Sequence, residues 1–233
     1  MFLYPEHARV DRVLPKNKIY GHAQPTRALR QRFINEVEEI VWRYKLASET
    51  IHLPTRPGVE EIQVFQISLK TGELSEGVLR TIDRAIPSLL FFEITYQGQV
   101  RFSAAYKRPA LSLKGEAASK HPVVDVYFAT PWQDAASPRL PLPVALDLGR
   151  LYEQMLRPHM LASPLALRPR PDEALAATVE RGNSIQAKRR ECLKLELKLK
   201  KAIQFNRKVE VNAELRQCRA KLAELERESS PKA

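Results

Sequence analysis

From Thr26 onward, Leu29, Phe33, Val37, Ile40 and Tyr44 recur at intervals of four, four, three and four, with Trp42 flanking the stripe. That spacing lays one apolar face along a helix, so the pattern predicts about five helical turns opened by a Thr26 cap. Further on the period shortens. TIHL (50–53) reads as a short strand and PTRPG as a loop; EEIQVFQISLK (60–70) reads as a strand apolar on much of both faces, stopped by Thr71-Gly72. Ser75 can then cap a helix that buries Val78, Leu79, Ile82 and Ile86 and stops at Pro87. SLLFFEITY, the turn Gln97-Gly98 and QVRFSAAYK make a hairpin in which Val100, Phe102, Ala104 and Tyr106 share one face, and VVDVYFAT adds another strand. VALDLGRLYEQML predicts a helix ending at Pro158. Ahead of all this, residues 1–25 are punctuated by Pro5, Pro15 and Pro25 and read as a surface wrap, with LPKNKIY a short extended piece.

These elements imply an α+β fold, a mixed sheet covered by helices, over residues 1–158. The composition then changes: residues 159–172, which include LASPLALRPRP, read as a proline-rich linker. Residues 173–233 read as a helical hairpin. Ile185, Cys192, Leu195 and Leu199 follow one heptad seam, and Val211, Leu215, Cys218, Leu222 and Leu225 follow another. An unbroken helix would carry the first seam to Asn206, Val209, Ala213 and Arg216, so the phase breaks between the two. Folding the chain at Phe205 pairs Leu199 with Val211, Leu195 with Leu215, Cys192 with Cys218 and Ile185 with Leu225, the layering of an antiparallel coiled coil. The two cysteines are then small packing residues.

Charge changes the picture more than composition does. A formal net charge of +11 favours a polyanionic partner or an acidic protein surface. Much of the excess sits on the hairpin as Lys188, Arg189, Arg190, Lys194, Lys198, Lys200, Lys201, Arg207 and Lys208, opposed over that stretch by Glu191, Glu196 and Glu210 alone. These nine are the candidate nucleic-acid-binding residues, since a basic arm gains affinity for a phosphate backbone by releasing counterions without reading sequence. Lysine and arginine at the outer positions of a coiled coil also serve simply as solvating residues. No aromatic platform interleaves with them, which argues against specific single-strand readout. Two isolated cysteines and five scattered histidines supply no zinc-site pattern. No run is long enough to span a bilayer and the first dozen residues do not read as a secretory signal, so the expectation is a cytoplasmic protein with no membrane partner.

Catalytic motifs are sparse: the chain has no phosphate-cradling glycine loop, nucleophile elbow, HExxH or paired CxxC. One constellation suits Mg²⁺-dependent phosphodiester cleavage, with Glu36 or Glu39, Glu61-x-Gln63 and Glu93 gathered at a sheet edge, although Gln63 stands where such nucleases place a lysine.

VLPKNKIY, residues 33–65 (FINEVEEI through EEIQVF), LKTGEL, IDRAIPSLLFFE, AAYKRP, PLPVALDLGRLYEQMLR and QFNRKVEVNAELR together resemble a bacterial domain-of-unknown-function family, number 4391. That resemblance implies a companion of helicases and DNA methyltransferases in restriction-like or phage-defence loci, and transfers no catalytic residues. The expectation is therefore a non-catalytic accessory subunit, without cofactor or metal, that binds a helicase or methyltransferase partner and DNA through its basic arm. A Mg²⁺-dependent nuclease component and an oligomerisation module that pairs with a second copy are the alternatives.

Overall fold

The computed structural model describes residues 2–111, 117–162 and 175–229. The chain divides into two compact units, Met1–Pro164 and Leu165–Ala233. In the first unit the elements run β1 (Phe2–Leu3), a short 3-10 turn, β2 (Arg9–Val13), α1 (Lys16–Ala23), α2 (Arg27–Glu36), β3 (Val37–Ala47), α3 (Ser48–Ile51), β4 (Glu61–Leu69), α4 (Glu76–Ala85), β5 (Leu89–Tyr96), β6 (Gln99–Leu111), β7 (Ala117–Ala129), β8 (Gln133–Asp134), β9 (Leu140–Pro141) and α5 (Leu148–Ala162).

A seven-stranded mixed sheet carries the unit, in the order β2-β3-β4-β5-β6-β7 with β8 paired to β6, while β1 and β9 form a separate parallel pair. Only β4 and β5 run parallel in the large sheet, because α4 supplies the crossover between them; the other neighbours are antiparallel. Phe65, Ile67, Leu69, Leu90, Phe92 and Ile94 face one core, closed by Ile19 of α1, Phe33 of α2 and Val78, Leu79 and Ile82 of α4. The alternate residues face α5, where Phe91 meets Tyr152 and His159, and Phe102 meets His159. Burial on both faces is why β4 and β5 read as continuous apolar runs. The α+β class, the covered mixed sheet and the C-terminal helical hairpin are the observed architecture.

Four local expectations are corrected. The helix from Thr26, whose Oγ1 does cap it, stops at Glu36, and Val37–Ala47 is an eleven-residue strand. Val37, Ile40, Val41, Trp42 and Tyr44 are β-branched or aromatic, and antiparallel pairing with β4 buries Val37, Ile40, Leu46 and Ala47. LPKNKIY is mostly helix: Pro15 sits at the N-cap with φ −63°, and the helix ends where Gln24, in the left-handed region, donates its N–H to the Tyr20 carbonyl. TIHL is not a strand, because Ser48–Ile51 make one helical turn that His52 ends in the left-handed region. The helix α5 runs through Pro158 to Ala162, so residues 159–162 of the expected linker are helical and the rest of it lies outside the described residues.

One buried charge pair ties α4 to the sheet. Lys107 Nζ lies 2.6 Å from Asp83 Oδ1 with both side chains 1% exposed, and the Tyr127 hydroxyl donates to the same carboxylate. Burial pushes the Asp83 carboxyl up and the Lys107 ammonium down, each partly offset by the other's charge.

Candidate nucleic-acid interface

In the second unit, α6 (Leu175–Lys201) and α7 (Phe205–Ser229) pack against each other as an antiparallel pair. The connector is Ala202–Ile203–Gln204, so the bend falls just before Phe205 rather than on it. Ala202 N–H is shared between the Lys198 and Leu199 carbonyls at 3.0 and 3.3 Å, which tightens the last turn of α6. Cys192, Leu215 and Cys218 form the buried centre of the seam, packed by Leu195, Leu199 and Leu222, and Val211 is fully buried nearer the bend. Cross-helix ion pairs fix the register: Arg189 with Glu226 at 2.6 Å, Glu196 with Arg219 at 2.7 Å and Lys198 with Glu214 at 3.7 Å. The Cys218 thiol, held in the seam with its Sγ 3.7 Å from the Lys188 carbonyl, is pushed up to about 11 by burial and by the facing Cys192. A thiol in that range stays protonated at neutral pH and serves packing.

The nine candidate cations divide into two sets. Lys188, Arg189, Lys198 and Arg207 have carboxylate partners, Glu191, Glu226, Glu214 and Glu210 respectively. Arg190, Lys194, Lys200, Lys201 and Lys208 are exposed and make no ion pair among the described residues. Lys194, Lys198 and Lys201 succeed one another by four and three positions, hence on one side of α6 at intervals of about 6 and 4.5 Å along its axis. With Arg207 from the start of α7, and with Leu197 and Ala202, they line a shallow groove of about 480 Å³. The bend therefore brings together four cations that are up to thirteen residues apart in sequence. Among the described residues only the weaker 3.7 Å contact to Glu214 and the 2.8 Å contact to Glu210 offset their charge, and exposed pairs of this kind hold their partners loosely.

Apolar residues that the charge pattern did not single out stand beside these cations. Ile203 is 93% exposed, Phe205 78% and Val209 53%, and Leu193 and Leu197 are also exposed on α6. The signal lay in the phase break itself: residues there cannot occupy either seam, so their side chains are left outside both.

The carboxylates considered for metal-dependent cleavage do not converge. Glu36 accepts from Ser75 N–H and Oγ at 2.7 and 2.6 Å, joining the end of α2 to the start of α4. Glu39 pairs in register with Ser68, whereas Glu61 pairs with Ala47, seven residues back along β4 and roughly 23 Å away. At its end of the strand Glu61 accepts from Ser88 Oγ at 2.6 Å and from Gln63, with Lys45 at 3.4 Å. Glu93 is buried mid-sheet, accepting from both terminal nitrogens of Arg139 at 3.2 Å; burial pushes its carboxyl up and Arg139 opposes that. Glu39 instead shares a cavity of about 540 Å³ with Glu38, Lys16 and Ser68, and Lys16 Nζ is turned to the Val37 carbonyl at 2.6 Å. Among the described residues no group of three or more His, Cys, Asp or Glu side chains is placed to hold a metal ion.

The chain belongs to the family described as Domain of unknown function (DUF4391), which matches residues 2–222 and so spans both units. No curated protein matches it. No solved structure matches it either. Among the described residues no helix is long and apolar enough to cross a membrane.

Proposed function

We propose that this protein is a non-catalytic accessory subunit of a DNA-acting complex, gripping the phosphate backbone with its helical hairpin. The observation that carries the reading is the convergence of Lys194, Lys198, Lys201 and Arg207 on one groove, with Arg190, Lys200 and Lys208 exposed nearby. A row of cations at helical spacing, with few acids to neutralise it, attracts a polyanion of any sequence. The family resemblance supports a helicase or DNA methyltransferase as the protein partner, in a restriction-like or phage-defence system of the bacterial cytoplasm. In this reading the α+β unit supplies the partner-specific surface.

Charge reversal tests the groove. Lys194→Glu combined with Lys201→Glu should weaken binding to a 30-base-pair duplex at least tenfold at low salt. Arg216→Glu combined with Lys221→Glu, the same charge change on exposed positions of α7 away from the bend, should weaken it far less. Equal losses in the two variants would reduce the effect to net charge and remove the groove as the contact.

A further inference from the structure

The bend of the hairpin combines two properties that ordinary solvated coiled-coil ends do not. Ile203 and Phe205 are 93% and 78% exposed, and Val209, one turn into α7, is 53% exposed. Phe205 is the sole aromatic residue between positions 175 and 229, and it stands outside the seam, where aromatic burial would have stabilised the pair. Around this apolar tip lie Lys198, Lys201, Arg207 and Lys208, and the first turn of α7 carries no acidic residue. The tip thus offers an aromatic face and a branched aliphatic side chain beside a cluster of cations, of which Lys198 and Arg207 also pair with Glu214 and Glu210.

We infer that the tip is a wedge for unstacked bases, so that the nucleic acid it engages is a fork, bubble or gapped duplex rather than continuous double helix. The inference rests on the polyanion reading above and specifies its substrate. Charge complementarity selects the occupant. A continuous duplex presents phosphates to the cations but no apolar surface to Phe205, and an apolar protein surface would satisfy Phe205 but not the cations. An unpaired base with its flanking phosphates meets both demands, through stacking on the ring and charge-assisted contacts on either side. A membrane surface fits less well. Interfacial helices lie flat on a continuous apolar face, whereas the outer side of α6 interrupts Leu193 and Leu197 with Arg190, Lys194 and Lys201.

The test uses the full-length chain and three fluorescein-labelled DNAs with the same number of phosphates: a blunt duplex, a fork with unpaired arms, and a single strand. Wild-type protein should bind the fork about tenfold more tightly than the blunt duplex. Ile203→Ser combined with Phe205→Ser should abolish that preference while leaving blunt-duplex affinity and its salt dependence unchanged. Both positions are exposed, so the variant should retain the wild-type helical circular dichroism. Salt-dependent duplex binding without any fork preference would overturn the wedge and leave the backbone grip standing. A fork preference that survives the double substitution would also overturn it. Absence of binding to all three DNAs would overturn both, as would partitioning onto phosphatidylserine vesicles that depends on Phe205 and occurs without DNA binding.

Discussion

Replacing Lys107 with methionine strands Asp83 inside the α+β unit without its cation. Both side chains are 1% exposed, so water does not take the ammonium's place, and the Tyr127 hydroxyl is left as the remaining donor to the carboxylate. Removing one member of a buried pair costs about 3–5 kcal/mol. In a unit of this size that lowers Tm by roughly 6–20 °C. Asp83 already lies above the usual carboxylate range because burial opposes its charge, and without Lys107 it rises further. A carboxyl whose folded pKa exceeds its unfolded one keeps its full contribution below the unfolded value and loses it as pH climbs through the folded value. The deficit of the variant should therefore be smallest near pH 4 and grow toward pH 8. Combining Lys107→Met with Asp83→Asn removes both charges and should recover much of the loss, a coupling that a double-mutant cycle isolates. Trp42, stacked on Phe65, and Trp132, under Arg101, are the chain's two tryptophans, so urea unfolding followed by fluorescence reports this unit. A single variant within 1 kcal/mol of wild type, or a deficit flat in pH, would refute the reasoning.

His159 supplies a second pH signature. It is 3% exposed among the rings of Phe2, Phe91 and Phe102, neither ring nitrogen has a hydrogen-bond partner among the described residues, and burial holds it down at about 4. Because the folded value is depressed, the neutral ring's contribution is present above the unfolded value near 6.5 and is lost as pH falls toward 4, amounting to about 3 kcal/mol. His159→Phe should flatten stability across that window, and urea titrations that give wild type and variant the same loss of unfolding free energy between pH 7 and pH 4.5 would contradict it. In the hairpin, Leu215 is 3% exposed at the centre of the seam, so Leu215→Ala should cost about 2–5 kcal/mol and lower the melting of the helical signal at 222 nm. An unchanged melt would mean that the seam is not what holds the two helices together.

Much of this organisation was legible where one signal dominated. β4 and the β5–β6 hairpin followed from alternating or continuous apolar runs closed by Gly72 and by Gln97-Gly98, whose backbones in the turn do take positive φ. The α6–α7 pairing followed from two seams out of phase, and the cross-helix ion pairs lie close to the register those seams implied. Misreadings arose where two periods coincide. Phe33, Val37 and Ile40 sit at helical spacing, yet Val37 and Ile40 belong to a strand whose partner, β4, lies more than twenty residues downstream and is invisible to a local window. At Pro158 the local rule stopped a helix that packing against the sheet carries four residues further. For the candidate site, the nine cations could be read directly, but not that Arg189 and Lys198 are partnered, because their carboxylates, Glu226 and Glu214, lie on the other helix. In the sequence Phe205 marks the fold point, and only the structure shows its side chain 78% exposed there.

The most direct measurement is the affinity of the full-length protein for one duplex as a function of monovalent salt. If Arg190, Lys194, Lys200, Lys201 and Lys208 each engage a phosphate, log K against log salt should fall with a slope of about −4.5, or several hundredfold between 50 and 200 mM. The Lys194→Glu, Lys201→Glu variant should fall about two units less steeply. A wild-type slope flatter than about −1, or no detectable binding at 50 mM, would contradict a grip on the phosphate backbone.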